Sequence, residues 1–301
     1  MNSIQECIAE YETPKRTPLS KKFPSLLGLI VLARRTNRTI VNYFKFGRGL
    51  KKSSSFYKCV LARHSSPLFR RLGQSDMRLQ FNKVQNLKVA VAKINGLIIP
   101  PGKTFSFWHE IGLANEKRGF VKGMVLQNGE VKEGVGGGLC QLSNFLFWIF
   151  LHADTTIMER HHHSFDAFPD SGRTLPFGSG ATVYCNYIDL QMRNISDSPI
   201  QIKIWLTDKC LKGQLVSDKG STKKIHVREE GHCFVKKGGQ YFRFNELWRD
   251  TFVNGQKVKQ EKIATNFARV AYEIPSENFL SGKYILTELS HFEDQKLEIA
   301  K

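Results

Sequence analysis

Gly134-Val135-Gly136-Gly137-Gly138-Leu139-Cys140-Gln141-Leu142-Ser143-Asn144-Phe145-Leu146-Phe147 sets a glycine run directly before an apolar stretch. Glycines let a backbone turn tightly or approach another group closely, at an entropic cost that a plain connector avoids. The residues from about Cys140 to His152 are apolar on nearly every face, which predicts a buried helix rather than a surface one. Working outward, Val84, Leu87, Val91 and Ile94 recur at steps of three and four, so Phe81–Leu97 reads as an amphipathic helix closed by Asn95-Gly96. Leu97-Ile98-Ile99 and Thr104–Trp108 read as short strands about a Pro100-Pro101-Gly102-Lys103 turn. Asn128-Gly129 predicts a hairpin within residues 119–133.

Downstream the pattern turns to β. Thr155–Glu159, Ala181–Tyr184, Leu190–Arg193, Ile200–Trp205 and Gln240–Phe244 read as strands, with turns at Gly238-Gly239 and Asn254-Gly255. The expected fold is α+β: mixed helices and a mainly antiparallel sheet, with a buried apolar helix after a Gly-rich turn. The expected organisation is a basic N-terminal region over 1–79, a central domain over 80–210 and a β-rich C-terminal region over 211–301.

The chain has 301 residues and a formal net charge of +18. Residues 1–104 hold 20 Lys and Arg against 4 Asp and Glu, whereas residues 105–301 hold 25 against 23. The excess therefore sits in the N-terminal third, within short basic helices about Leu26–Leu32 and Ile40–Phe46. Such an end attracts polyanions such as acidic lipid surfaces or phosphorylated precursors. Nucleic acid is disfavoured, because zinc-finger spacing, an RNP-like aromatic strand and a recognition helix are all lacking.

The six cysteines, Cys7, Cys59, Cys140, Cys185, Cys210 and Cys233, form no C-x-x-C pair. The N-terminus places Glu6, Glu10 and Glu12 before any lysine, the reverse of a signal peptide. The apolar run Phe23–Ala33 is shorter than the roughly 20 residues a spanning helix needs. The expectation is a reduced, cytoplasmic protein, peripheral at the membrane. The sequence sets no oligomeric state.

About twenty residues past Cys140 stands a histidine cluster, Glu159-Arg160-His161-His162-His163-Ser164. A cysteine at a helix start meets the positive end of the helix dipole, which predicts a lowered thiol pKa. Three readings follow. In the first, Cys140 is a nucleophile for acyl transfer or amide hydrolysis, with a peptidoglycan stem peptide as substrate. His161 or His163 is then the base, Asp166 or Glu159 orients it, and amides of Gly138–Gln141 form an oxyanion hole. In the second, Cys140, His161 and His163 bind zinc, leaving a position open for water. In the third, the chain is a non-enzymatic module. Gly136, Gly137, Gly138, Gln141, Ser143, Arg160 and Ser164 then bind an anionic or peptide ligand, and the basic end docks on anionic lipid or near cell-wall precursors. Beside all three stands a packing role, in which Cys140 is simply a small core residue. The first two readings require the Cys140 sulfur and an imidazole within about 4 Å in an open cleft.

Asn95-Gly96, Pro101-Gly102-Lys103-Thr104-Phe105-Ser106-Phe107, Gly136–Ser143, Glu159–Ser164 and Ala181-Thr182-Val183 together resemble the VanW family along roughly residues 80–206. The chain departs from that pattern at Gly180, where many relatives carry Asp. The resemblance implies a role in the cell envelope or in glycopeptide resistance and carries no defined reaction with it.

Overall fold

The computed structural model describes residues 2–13, 24–69, 77–127, 130–162, 165–166, 174–273 and 285–288. Helices α1 (Asn2–Glu12) and α2 (Leu27–Phe46) precede strand β1 (Cys59–Pro67). Helix α3 (Met77–Ile94) leads to β2 (Ile98–Ile99), β3 (Thr104–Ser106), the short α4 (Phe107–Ile111), and the hairpin β4 (Lys122–Gln127) and β5 (Glu130–Val135). Next come α5 (Cys140–Leu151), β6 (Thr155–Glu159), β7 (Phe165–Asp166), β8 (Gln191–Asn194), β9 (Ile200–Leu206) and β10 (Cys210–Ser217). The chain continues with β11 (Lys223–Lys237), β12 (Gln240–Val253), β13 (Gln256–Val270) and β14 (Ile285–Glu288). The fold is α+β with mainly antiparallel sheets, as the sequence predicts.

Helix α5 is the centre of the main core. Leu142, Phe145, Leu146, Phe147, Ile149, Phe150 and Leu151 are all buried along it. They pack with Leu87, Val91 and Ile94 of α3 and with Ile200, Ile202 and Ile204 of β9. Two small sheets receive these helices, in the orders β1-β10-β9-β2 and β3-β8-β6. The alternation in β9 that sends its isoleucines inward leaves Trp205 at the surface. The first sheet joins β1, β10 and β9, so it runs across both boundaries expected at 79/80 and 210/211.

Two segments differ from expectation. Thr104–Trp108 is a strand only to Ser106, where the Ser106 hydroxyl accepts the His109 amide and caps α4. Ala181–Tyr184 is a loop, joined to the fold by Thr182 N to His161 O (2.7 Å) and a bridge between Tyr184 and Ile188. The two apolar stretches near residues 26–46 are one continuous helix, α2. Past residue 222, β11, β12 and β13 form a long antiparallel meander whose turns fall at Gly238-Gly239 and Asn254-Gly255. Ile8 of α1 packs there with Cys233, Val235, Phe242 and Phe244 in a second, smaller core.

Candidate functional site

Cys140 opens α5, as expected, but its sulfur faces inward and donates to the Val183 carbonyl at 3.7 Å. Burial pushes its thiol pKa up, and the hydrogen bond to Val183 opposes this only in part. The expected lowering by the helix dipole is overturned: desolvation of the thiolate outweighs a partial charge confined to the first turn.

The glycines do permit close approach, and what approaches is the chain itself. A Cβ on Gly137 would lie 2.1 Å from the Gly123 carbonyl carbon, and one on Gly138 2.2 Å from Lys83 Cγ. Gly136 and Gly138 also sit at φ +78° and +89°, where glycine is favoured. The amides of Gly136, Gly137 and Gln141 donate to Val121 O (3.0 Å), Gly134 O (3.0 Å) and Gly138 O (3.1 Å). From α3, Asn86 clamps the loop, donating to Gly137 O (2.8 Å) and Val121 O (3.0 Å). Of the amides expected to form an oxyanion hole or an anion cradle, those of Gly136, Gly137 and Gln141 are therefore engaged by the chain's own carbonyls.

The polar residues of the signature act the same way. The Gln141 side chain donates to Pro67 O (2.7 Å) and Ser66 Oγ (3.1 Å), tying α5 to β1. Ser143 Oγ donates to Ala181 O (2.6 Å). Arg160, expected to anchor a carboxylate or phosphate, instead donates to Gly178 O (2.5 Å), Gly180 O (3.0 Å) and Asn266 Oδ1 (2.9 Å), above the Phe147 ring. Burial draws its guanidinium pKa down to about 10. A Cβ on Gly180 would meet Asn144 Oδ1 at 2.4 Å, so any other residue there needs the Asn144 side chain to move.

Of the expected histidine cluster, His161 and His162 are among the described residues. The half-exposed His161 ring lies 3.2 Å from Glu159 Oε1. His163 and Ser164 fall outside the described residues. Asp166, expected beside the imidazole, is buried with Arg243 (3.1 Å) and Tyr272 (3.2 Å), where β7 joins the C-terminal meander. Among the described residues, no group of three or more His, Cys, Asp or Glu comes together as metal donors. An open cleft of about 410 Å³, bordered by Arg63, His64, Trp205 and Lys212, includes neither Cys140 nor His161.

Charged groups do gather about Glu159, which the sequence reading set beside an imidazole only. Asp189, nearly inaccessible, accepts from Ser106 Oγ (2.6 Å), Trp108 N (3.0 Å) and Gln191 Nε2 (3.1 Å). Burial raises its carboxyl pKa. Glu159 accepts the Asp189 amide (3.2 Å), and Arg38 of α2 pairs with Glu159 while reaching Asp189 at 3.7 Å. Around this hub, Lys45 donates to Gln191 (2.9 Å), Arg34 to the Tyr187 hydroxyl (2.5 Å) and Asn186 to Arg35 O (2.8 Å). No short motif marks it, since its members lie between residues 34 and 191. The one available signal was a run of basic residues without a local acidic partner.

A family model described as "VanW like protein" matches residues 82–216. The chain is 31% identical over 271 residues to "Vancomycin B-type resistance protein VanW" of Enterococcus faecalis (strain ATCC 700802 / V583), covering 86% of this chain and 96% of that protein. It is 30% identical over 125 residues to "Uncharacterized protein YoaR" of Bacillus subtilis (strain 168), covering 40% of this chain and 39% of that one. No solved structure matches.

Proposed function

The chain belongs to the VanW family, and from that membership we propose that it is an accessory protein of the cell envelope associated with vancomycin resistance. On this reading it is a non-enzymatic module that docks on an anionic lipid surface, near membrane-linked cell-wall precursors. The observation that favours binding over catalysis is the half-buried Cys140, whose sulfur is turned to the Val183 carbonyl beside the main core and whose thiol is stabilised against ionisation. A nucleophile or metal ligand needs the thiolate, and both need access. Charge supports the docking surface: residues 24–69 carry nine Lys and Arg and neither Asp nor Glu. None of the described helices is long and apolar enough to cross a membrane, so contact is expected at the lipid surface.

Co-sedimentation with vesicles tests this reading. The full chain is expected to pellet with phosphatidylglycerol-containing vesicles at low salt and to be released as salt screens the attraction. Equal binding to phosphatidylcholine alone, or binding indifferent to salt, contradicts it.

A further inference from the structure

Helix α2 is packed the wrong way round for a surface helix of a globular protein. Such helices usually bury an apolar stripe and show charge to water. Here Arg38 and Lys45 reach the domain, Arg38 held by Glu159 and Asp189 and Lys45 by Gln191, and Asn42 is 3% exposed. Leu29, Leu32, Ile40, Tyr43 and Phe44 point outward, with Phe44 82% exposed. Their spacing of three, eight, three and one residues keeps them within one face at 3.6 residues per turn. Thr36, between them, is exposed as well.

Half-burying Arg38 beside two carboxylates while exposing Phe44 costs an isolated domain on both counts. The arrangement becomes favourable when something apolar covers the outer face. Its surroundings say what: Arg34 on the helix and Arg48 just past its end are exposed, and residues 24–69 contain no acidic residue. An apolar stripe in a cationic border is complementary to an anionic bilayer surface, where alkyl side chains enter the acyl boundary and basic ones meet phosphates.

We propose that α2 lies flat in the interface of an anionic bilayer, its Leu29–Phe44 stripe inserted. The hub of Arg38, Glu159 and Asp189 then fastens the domain to the helix's inner face. The inference rests on the docking reading above and adds the element and the mode of contact. At about 1.5 Å per residue, the 20-residue helix makes a contact line roughly 30 Å long. Thr39 and Asn186, bonded at 2.5 Å, sit on the domain side and help to hold the helix parallel to the fold's surface.

The test uses the full chain with vesicles of phosphatidylglycerol and phosphatidylcholine in equal parts. The double substitution Ile40→Ser, Phe44→Ser leaves every charge in place and touches only exposed side chains, so the melting temperature is expected to stay within a few degrees. Vesicle affinity is expected to fall about tenfold or more. Separately, Phe44→Trp is expected to shift its emission to the blue on vesicles and to be quenched by lipids brominated along the chain. Salt-sensitive binding that the double variant retains overturns the inserted stripe and leaves surface docking by charge intact. No binding by the unaltered chain overturns both. A dimer in lipid-free solution that the double variant dissolves assigns the stripe to a second copy and overturns the inference.

Discussion

Gly137 and Gly123 lie backbone against backbone, so a methyl on Gly137 has no flexible side chain to displace. Gly137→Ala is expected to cost about 3 kcal/mol, the upper range for overpacking, read as a lowered melting temperature. Arg160 makes a parallel case. It ties the 178–180 loop, through two carbonyls, to Asn266 of β13 with a planar fork that Lys cannot reproduce, so Arg160→Lys is expected to cost about 2 kcal/mol in denaturant unfolding. At this scale the sequence reading singled out residues in close contact and misjudged what they meet. Three glycines in a row reliably signal close approach, yet the pattern is the same whether the neighbour is a ligand or Gly123. A cysteine at a helix start says nothing about which way the sulfur turns.

Among the elements, α2 and α4 are joined through Glu110, whose carboxylate accepts the Leu50 amide at 3.1 Å just past the end of α2. Burial raises its pKa from 4.5 to about 7, against the opposing pull of the Leu50 hydrogen bond. The folded protein therefore holds a proton on Glu110 over that interval while the unfolded chain releases it. Its contribution to stability declines as pH rises from about 4.5 to about 7 and is level above that. Glu110→Gln is expected to flatten this part of the stability profile, measured by urea unfolding across pH; an unchanged slope would count against the assignment. Periodicity revealed α3 and β9 because each turns an apolar face to the main core, and α5 was legible from apolar residues on nearly every face. It misled at Thr104–Trp108, where the Ser106 cap converts an alternating run into a helical turn. It misled also at Ala181–Tyr184, where Ser143 and Cys140 of α5 take up the Ala181 and Val183 carbonyls. The inverted packing of α2 was beyond reach, because its carboxylate partners come from residues 159 and 189.

For the whole molecule, the long C-terminal meander is tied back to the family core by Asp166 and the buried Arg243 (3.1 Å). Asp166→Ala is expected to lower stability by about 3 kcal/mol, because it removes one member of a buried ion pair. Charge asymmetry was the most legible global feature, since counting residues needs no geometry; its placement on α2 against the carboxylate hub needed the fold. Taken together, the VanW signature is an internal clasp that holds α5, the 177–183 loop and β6, while α2 carries the surface proposed to meet lipid.

Cys140→Ala tests that account most directly, in a glycopeptide-resistant host that depends on this protein for full resistance. The account predicts vancomycin susceptibility indistinguishable from the unaltered protein, together with a Cys140 thiol that reacts with iodoacetamide only after unfolding. Restored susceptibility from a stably folded Cys140→Ala protein, or rapid alkylation of the native thiol, would contradict it.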